Sequence, residues 1–344
     1  MGYRAAPQSI PSLQGPLPTE TAMPTAATRV MECDRAIFQR DLNTLPHEVT
    51  HHLAGHPLFQ LDALVELAQR VAARTNPHMS GGDVYFNNGA VTAGTRPVYN
   101  GPEEERAAAI DLIRKIEASE AWVILKHVER EAGYREVMEA AVCDALALAG
   151  DAGKDLFRKI KWFESIVFIT SPHRVTEYHI DRECSWIFQI RGDKAIHLFN
   201  RADKDVVPEE ELERFYTVDN RASQYKPQFE DRALVYNMTP GTGVHIPVNT
   251  PHWLKNGNDV SITLNVNFQF HDNQFANLYK ANYYLRRAGL KPAIPGRHHA
   301  ADRIKANAFT AAVALKRKLR PGDGVVPPEA KEQKHRIAQL VAAR

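Results

Sequence analysis

Between Ser165 and Phe270 the chain repeats one texture: short runs of β-branched, aromatic and aliphatic residues separated by turn formers. The runs are Ser165–Thr170, Glu177–Asp181, Ser185–Ile190, Lys194–Phe199, Ala233–Asn237, Gly243–Pro247 and Val260–Phe270. Such residues favour a pleated, half-buried surface, so each run reads as a strand. Strands this closely spaced predict a sandwich or barrel of the jelly-roll kind. The last run alternates fully: Val260, Ile262, Leu264, Val266 and Phe268 share one face, and Ser261, Thr263, Asn265, Asn267 and Gln269 the other. A polar strand face either meets solvent or lines a wet pocket.

The flanks read differently. Residues 1–30, rich in Pro, Thr, Ala and Gln without apolar periodicity, predict a flexible arm. Helices are expected over Pro46–Ala54, where Pro46 suits a first turn and Gly55 an exit, and over Leu61–Val71, with apolar residues at i, i+3, i+4 spacing. Pro102–Ala118, Tyr134–Ala149, Asn273–Ala288 and Ala300–Leu319 follow, with Gly150 closing the fourth of these six. Gly81–Gly101 reads as loop with short strands, and Trp122–Leu125 as a strand. The expected division is an arm at 1–30, a helical flank at 31–163, a β core at 164–272 and a basic helical region at 273–344, an α+β chain.

Composition excludes several classes. At 344 residues with 44% hydrophobic and 24% charged residues, the chain can bury a core and is neither disordered throughout nor a membrane protein. No apolar run approaches a bilayer span. Cys33, Cys143 and Cys184 form no C-x-x-C pair, so a reducing, cytoplasmic setting is expected. The first thirty residues lack the apolar stretch of a secretory signal, and Ala6 breaks the myristoylation pattern. Residues 275–344 hold 15 Lys and Arg against 4 Asp and Glu, a balance of +11 that leaves −9 for the rest of a chain of net charge +2. The basic region predicts either an anionic partner, such as a nucleic acid, a membrane surface or an acidic carbohydrate, or a contact with the acidic remainder of the protein. A homodimer through the helical flanks is a further expectation.

Candidate chemistry starts at His179-Ile180-Asp181. A chain with 15 histidines contains roughly one H-x-D by chance, so the surroundings must decide. On a strand, residues i and i+2 share a face and can offer an imidazole and a carboxylate to one ion. Two histidines and one carboxylate leave coordination positions open, the facial triad of non-haem Fe(II) oxygenases. The second histidine is His245 or His252. His252 is favoured because it follows the turn Asn249-Thr250-Pro251, whereas His245 alternates with Val244 and Ile246 inside a strand. Lys194 heads a run whose face continues with Ile196 and Leu198, and a cation directed into an apolar interior requires an anion.

From about Ile169 to Phe270 the chain resembles the JmjC and cupin-like family of Fe(II)- and 2-oxoglutarate-dependent dioxygenases, and within it the asparaginyl hydroxylase of hypoxia-inducible factor. The segment from His179-Ile180-Asp181 to Gln189-Ile190-Arg191-Gly192-Asp193-Lys194 is similar, without a gap, to that family's H-x-D, strand, Q-I-x-G-x-K pattern. The resemblance implies a double-stranded β-helix core and iron held by His179, Asp181 and His252. It gives Lys194 and Thr176 to the distal carboxylate of 2-oxoglutarate, and places Asn267 near the cosubstrate's iron-binding end. Ser185 stands where the hydroxylase has an asparagine. The implied reaction consumes O2 and 2-oxoglutarate, yields succinate and hydroxylates a primary substrate that the resemblance does not name, a protein side chain or a small molecule. The alternative is a cupin-fold binding or regulatory protein without catalysis.

A competing motif lies upstream. His47-Glu48-Val49-Thr50-His51 spells H-E-x-x-H, which on a helix puts two imidazoles beside a glutamate able to activate zinc-bound water. Gly55 and His56 miss the extended metzincin spacing by one residue, and a solvent-facing histidine cluster is the favoured reading.

Overall fold

The computed structural model describes residues 29–74, 82–96, 106–270, 274–319 and 328–343. Residues 1–28 of the arm expected over 1–30, the outer parts of Gly81–Gly101 and the start of Pro102–Ala118 lie outside them. The strands are β1 (Met31–Glu32), β2 (His47–His51), β3 (Val84–Asn88), β4 (Ala121–Leu125), β5 (Ile160–Thr170), β6 (Val175–His179), β7 (Cys184–Arg191), β8 (Lys194–Leu198), β9 (Leu234–Met238), β10 (Thr242–Ile246), β11 (His252–Asn256) and β12 (Ser261–Phe270). The helices are α1 (Arg35–Asp41), α2 (Leu61–Ala72), α3 (Arg106–Arg114), α4 (Ala132–Ala149), α5 (Asp151–Lys159), α6 (Glu209–Thr217), α7 (Gln274–Arg287), α8 (His299–Leu319) and α9 (Pro328–Ala343).

Two antiparallel sheets result. The larger runs β1-β2-β10-β7-β12-β5-β4-β3 and the smaller β6-β11-β8-β9. They meet through Ile187, Val244 and Ile246 on one side and Ile196, Leu198, Leu254 and Met238 on the other. The opposite face of the larger sheet carries Trp186, Phe188 and Ile190, which pack into one core with Leu64, Leu67 and Val71 of α2 and Val137, Met138 and Ala141 of α4. Each fully buried aliphatic or aromatic side chain stabilises by about 1.5–3 kcal/mol, and this sheet buries apolar residues on both faces over much of β7 and β12.

Several expectations need correction. The segment around Pro46–Ala54 is strand β2 where a helix was expected. His47, Val49 and His51 are buried while Glu48 and Thr50 are exposed, so the spacing that mimics a helix face also satisfies period two. Pairing to β1 and β10 then decides between them. Val30, assigned to the arm, is 2% exposed, and its N–H and that of Met31 donate to the Asp144 carboxylate. β5 begins at Ile160, earlier than Ser165, and β6 ends at His179, short of Asp181. Helices α1, α5, α6 and α9 were not foreseen. α4 is buried around most of its circumference, which erases the amphipathic signal, and its chain turns at Gly150 with φ +62°.

The basic C-terminal region does not stand apart. Gln333 of α9 accepts from Phe163 N–H and donates to the Phe163 carbonyl, and Arg336 pairs with buried Glu139 at 2.7 Å. Arg286 of α7 pairs with Glu213 of α6 at 2.9 Å. Arg287, Lys291, Arg297 and Arg303 remain exposed. No described helix is long and apolar enough to cross a membrane, and Cys33, Cys143 and Cys184 are free.

His51 makes the fold acid-sensitive. Its Nε2–H donates to the Gln189 carbonyl, its Nδ1 accepts from Leu53 N–H, and burial pushes its pKa down to about 4. Because the folded value lies below the unfolded value near 6.5, this contribution is complete above pH 6.5 and is lost as pH falls toward 4. We expect roughly 3 kcal/mol of destabilisation over that window. Thermal melts at pH 7.5 and 4.5 read it, and His51→Gln should flatten the slope; an equal pH dependence in the variant would exclude His51 as its source.

Candidate metal centre

β6 and β11 are neighbours in the smaller sheet, and their register sets His179 directly opposite His252. Antiparallel pairing therefore brings together two imidazoles 73 positions apart in sequence, with ring centroids 4.2 Å apart. Asp181 reaches them from just beyond the end of β6, where its carbonyl accepts from Asn249 N–H. Asn249 sits in the left-handed region at φ +60°, and its side chain accepts from the Tyr216 hydroxyl at 2.6 Å. That contact anchors the turn that delivers Thr250 and His252.

The donor atoms converge. The Asp181 Oδ2 atom lies 3.8 Å from His179 Nε2 and 3.7 Å from His252 Nε2, and one ligand atom from each residue falls within 4.8 Å of the others. Atoms each about 2.1 Å from one ion stand about 3–4 Å apart, so the three can share a metal with small adjustment. Carbonyl oxygens only accept, so the contacts of His179 Nδ1 to Glu177 O (2.6 Å) and His252 Nδ1 to Thr250 O (2.9 Å) place both protons on Nδ1. Both Nε2 lone pairs are left for the ion, the outer-shell arrangement that orients metal-binding histidines. Burial, with neighbouring His179, pushes the His252 pKa down to about 4, so it is a neutral ligand at pH 7.

The cluster opens into a cavity of about 870 Å³ between the sheets. Lys194 projects into the same space at 4% exposure. Gly192, at φ +69°, makes the preceding turn, and a side chain there would meet the Val260 carbonyl at 2.5 Å. Gln189 braces this turn by donating to the carbonyls of Arg191 and Gly192 and to Ser261 Oγ. Among the described residues no hydrogen bond or ion pair reaches the Lys194 ammonium, and burial pulls its pKa down to about 7. Thr263 Oγ1 and Asn265 Oδ1, also on the cavity wall, are buried without a hydrogen-bond partner among the described residues. A buried cation and two orphaned polar atoms form a cradle that an anionic, hydrogen-bonding ligand would complete.

The remaining expected residues divide. Thr176 and Asn267 line the cavity with His179, Asp181, His252 and Lys194. Ser185 is buried on β7 opposite Asn267, but is not part of the described lining. His245 belongs elsewhere: its Nδ1–H donates to the Ser185 carbonyl, its Nε2 accepts from Asn43 N–H, and its ring lies 4.7 Å from that of His47. The histidine pair of H-E-x-x-H is thus built into the sheet and held by backbone hydrogen bonds, while Glu48 points away to solvent. That geometry removes the zinc-peptidase reading, and the inward-facing His47 and His51 correct the picture of a solvent-facing cluster. His245→Gln should retain stoichiometric metal binding while lowering the melting temperature; metal loss in a folded variant would return His245 to the ligand set.

Part of the cavity was not legible. Glu164, Lys126, His127, Tyr85, Trp122 and Glu183 all line it. Glu164 lies just outside the expected strand Ser165–Thr170, whereas β5 begins at Ile160, and its alternation with Ile166 and Phe168 places it on their face. Lys126 and His127 lie in the turn after β4, and only the addition of β4 to the larger sheet brings them to the wall.

No family model matches the chain, and no curated protein matches it. Among solved structures it is similar to the ribosomal oxygenase YcfD of Escherichia coli, at 13% identity and a TM-score of 0.41, over 83% of this chain and 67% of that one. The same oxygenase in complex with cobalt and 2-oxoglutarate aligns at 13% identity and a TM-score of 0.42, over 89% and 70%. Its complex with cobalt and succinic acid aligns at 12% identity and a TM-score of 0.38, over 87% and 68%.

Proposed function

We propose that this chain is an Fe(II)- and 2-oxoglutarate-dependent oxygenase of the JmjC, cupin-like kind, built on a double-stranded β-helix, that hydroxylates a second substrate. One observation carries the reading: two imidazole lone pairs and a carboxylate converge on one point in a cavity that also holds a buried lysine with no ion-pair partner among the described residues. A hydrolytic zinc site has no use for that lysine, whereas a dicarboxylate cosubstrate does. The donor set, two imidazole nitrogens and one carboxylate with open positions, fits iron in an oxygenase.

Iron, when bound, supplies the coupling of 2-oxoglutarate decarboxylation to oxidation of a C–H bond by O2. His179, Asp181 and His252 hold the ion on one side and leave the cavity side open. Lys194 receives the distal carboxylate, with Thr176 and Thr263 supplying hydroxyls to the same end, while Asn265 and Asn267 border the path from there to the ion. Ile187, Ile246 and Leu254 line the space between and exclude water from it. None of these residues need transfer a proton; their contribution is position and charge.

Anaerobic titration of Fe(II) and 2-oxoglutarate into the protein should develop the visible charge-transfer band of a chelated oxo-acid, and admitting O2 should release succinate. A band without succinate would identify a binding protein on the same fold. Absence of both would end the iron reading.

A further inference from the structure

On the cavity face of β4 and β5, Trp122, Ile124 and Ile166 form an apolar cluster separate from the main core, with Tyr85 of β3 and Phe168 packed against it. All five line the cavity that contains the metal cluster. Their place follows from register: Ile166 lies opposite Asn265, Phe168 opposite Thr263, and Ile124 opposite Phe168. The wall therefore continues sideways from the polar strip of β12 that borders Lys194, and Thr176 and Tyr178 of β6 line the cavity from the other sheet.

Size and charge limit what this wall takes. Ligand pockets of about 300–1,000 Å³ hold drug-sized molecules, so 870 Å³ leaves room for a second ligand beside a five-carbon dicarboxylate. The buried acid at the end of the wall, Glu164, already has cations: Lys126 Nζ at 3.8 Å and His127 Nε2 at 3.5 Å. Burial opposes protonation of His127, but Glu129, Glu164 and Asp83 outweigh it and hold its pKa above the ordinary histidine value. Glu164, so neutralised, does not by itself call for a cationic substrate. What the wall offers a ligand is apolar: Tyr85 and Phe168 are partly exposed beside the buried Trp122, Ile124 and Ile166, and such surface contributes roughly 25 cal/mol per Å² removed from water.

We propose that the second substrate presents an aromatic or bulky aliphatic body, seated on Tyr85, Trp122, Ile124, Ile166 and Phe168, with its reactive C–H bond directed at His179, Asp181 and His252. This rests on the reading of the centre as an iron and 2-oxoglutarate site. In the reaction O2 takes two electrons from 2-oxoglutarate, which loses CO2 and gains one oxygen atom as succinate, and two from the C–H bond, which gains the other as hydroxyl.

The test is calorimetric titration of indole, and separately of n-butylamine, into the protein under anaerobic conditions with Fe(II) and 2-oxoglutarate present. Indole should bind at least tenfold more tightly than n-butylamine. Ile166→Asp should weaken indole tenfold or more, and Ile166→Thr, which keeps the strand-favouring branched side chain, about fivefold. Both variants should bind 2-oxoglutarate as the unaltered protein does. Tighter binding of n-butylamine, or indole affinity unchanged in a folded Ile166→Thr protein, would overturn the substrate class and leave the iron reading standing. Failure of 2-oxoglutarate to bind the unaltered protein would overturn both.

Discussion

Replacing Asp181 with Ala will abolish 2-oxoglutarate turnover while leaving the fold intact. Even outer-shell partners of metal ligands are worth about 10–100-fold in affinity or activity, so deleting a ligand should cost more than about a hundredfold. The fold should survive because Asp181 is partly exposed and lies beyond the end of β6, and the contact that anchors its loop is made by its carbonyl, not its carboxylate. His252→Ala should remove metal equally well but at a cost in stability, since that ring is buried and its Nδ1–H donates to the Thr250 carbonyl. Iron content after desalting, succinate release and thermal melting separate these outcomes. Retained iron and retained turnover in Asp181→Ala would show that the carboxylate is not a ligand.

Lys194→Met will act in opposite directions on stability and on ligand affinity. Its ammonium is desolvated with no anion beside it among the described residues, so a similarly shaped apolar side chain should raise the melting temperature of the ligand-free protein. The same change removes the charge-assisted contact to 2-oxoglutarate that the proposed function assigns to this lysine. Hydrogen bonds to charged groups contribute about 1.5–3 kcal/mol, which corresponds to roughly 10–150-fold weaker binding. Well below pH 7 the lysine is fully charged and should bind the dicarboxylate best; as pH rises through about 7 affinity should fall in the unaltered protein and stay flat in Lys194→Met. A variant that loses stability and keeps its affinity would assign Lys194 to packing instead.

Much of this centre was legible in the chain, for identifiable reasons. His179 and Asp181 are close in sequence, Lys194 follows a glycine turn at a fixed offset, and β12 alternates polar and apolar residues over its whole length. Short-range periodicity and turn chemistry carry all three signals. Where the same signal serves two structures, the reading failed. His47 and His51 lie four apart, a spacing that puts residues on one face of a helix and equally on one face of a strand. Only pairing with β10 resolves the choice, and that partner begins at Thr242, almost two hundred residues away. Helix α4 is legible for another reason: buried on nearly every side, it shows little amphipathic period, and its alanine and leucine content and the closing Gly150 mark it instead.

By itself the sequence determined which groups could do chemistry and the local order in which they arrive: an imidazole and a carboxylate two residues apart, a lysine after a tight turn, a strand with one polar face. These depend on interactions between neighbours in the chain. Tertiary structure decided the partners. It set His252 opposite His179 through β6–β11 pairing, turned His245 toward Asn43 and Ser185, and placed Lys194, with no counterion among the described residues, in a cavity shared with His179, Asp181 and His252. By extending the larger sheet with β4 and β3 it also added an apolar wall beside the centre. Such choices rest on hydrogen-bond register and burial between segments far apart in sequence, and no local pattern contains that information.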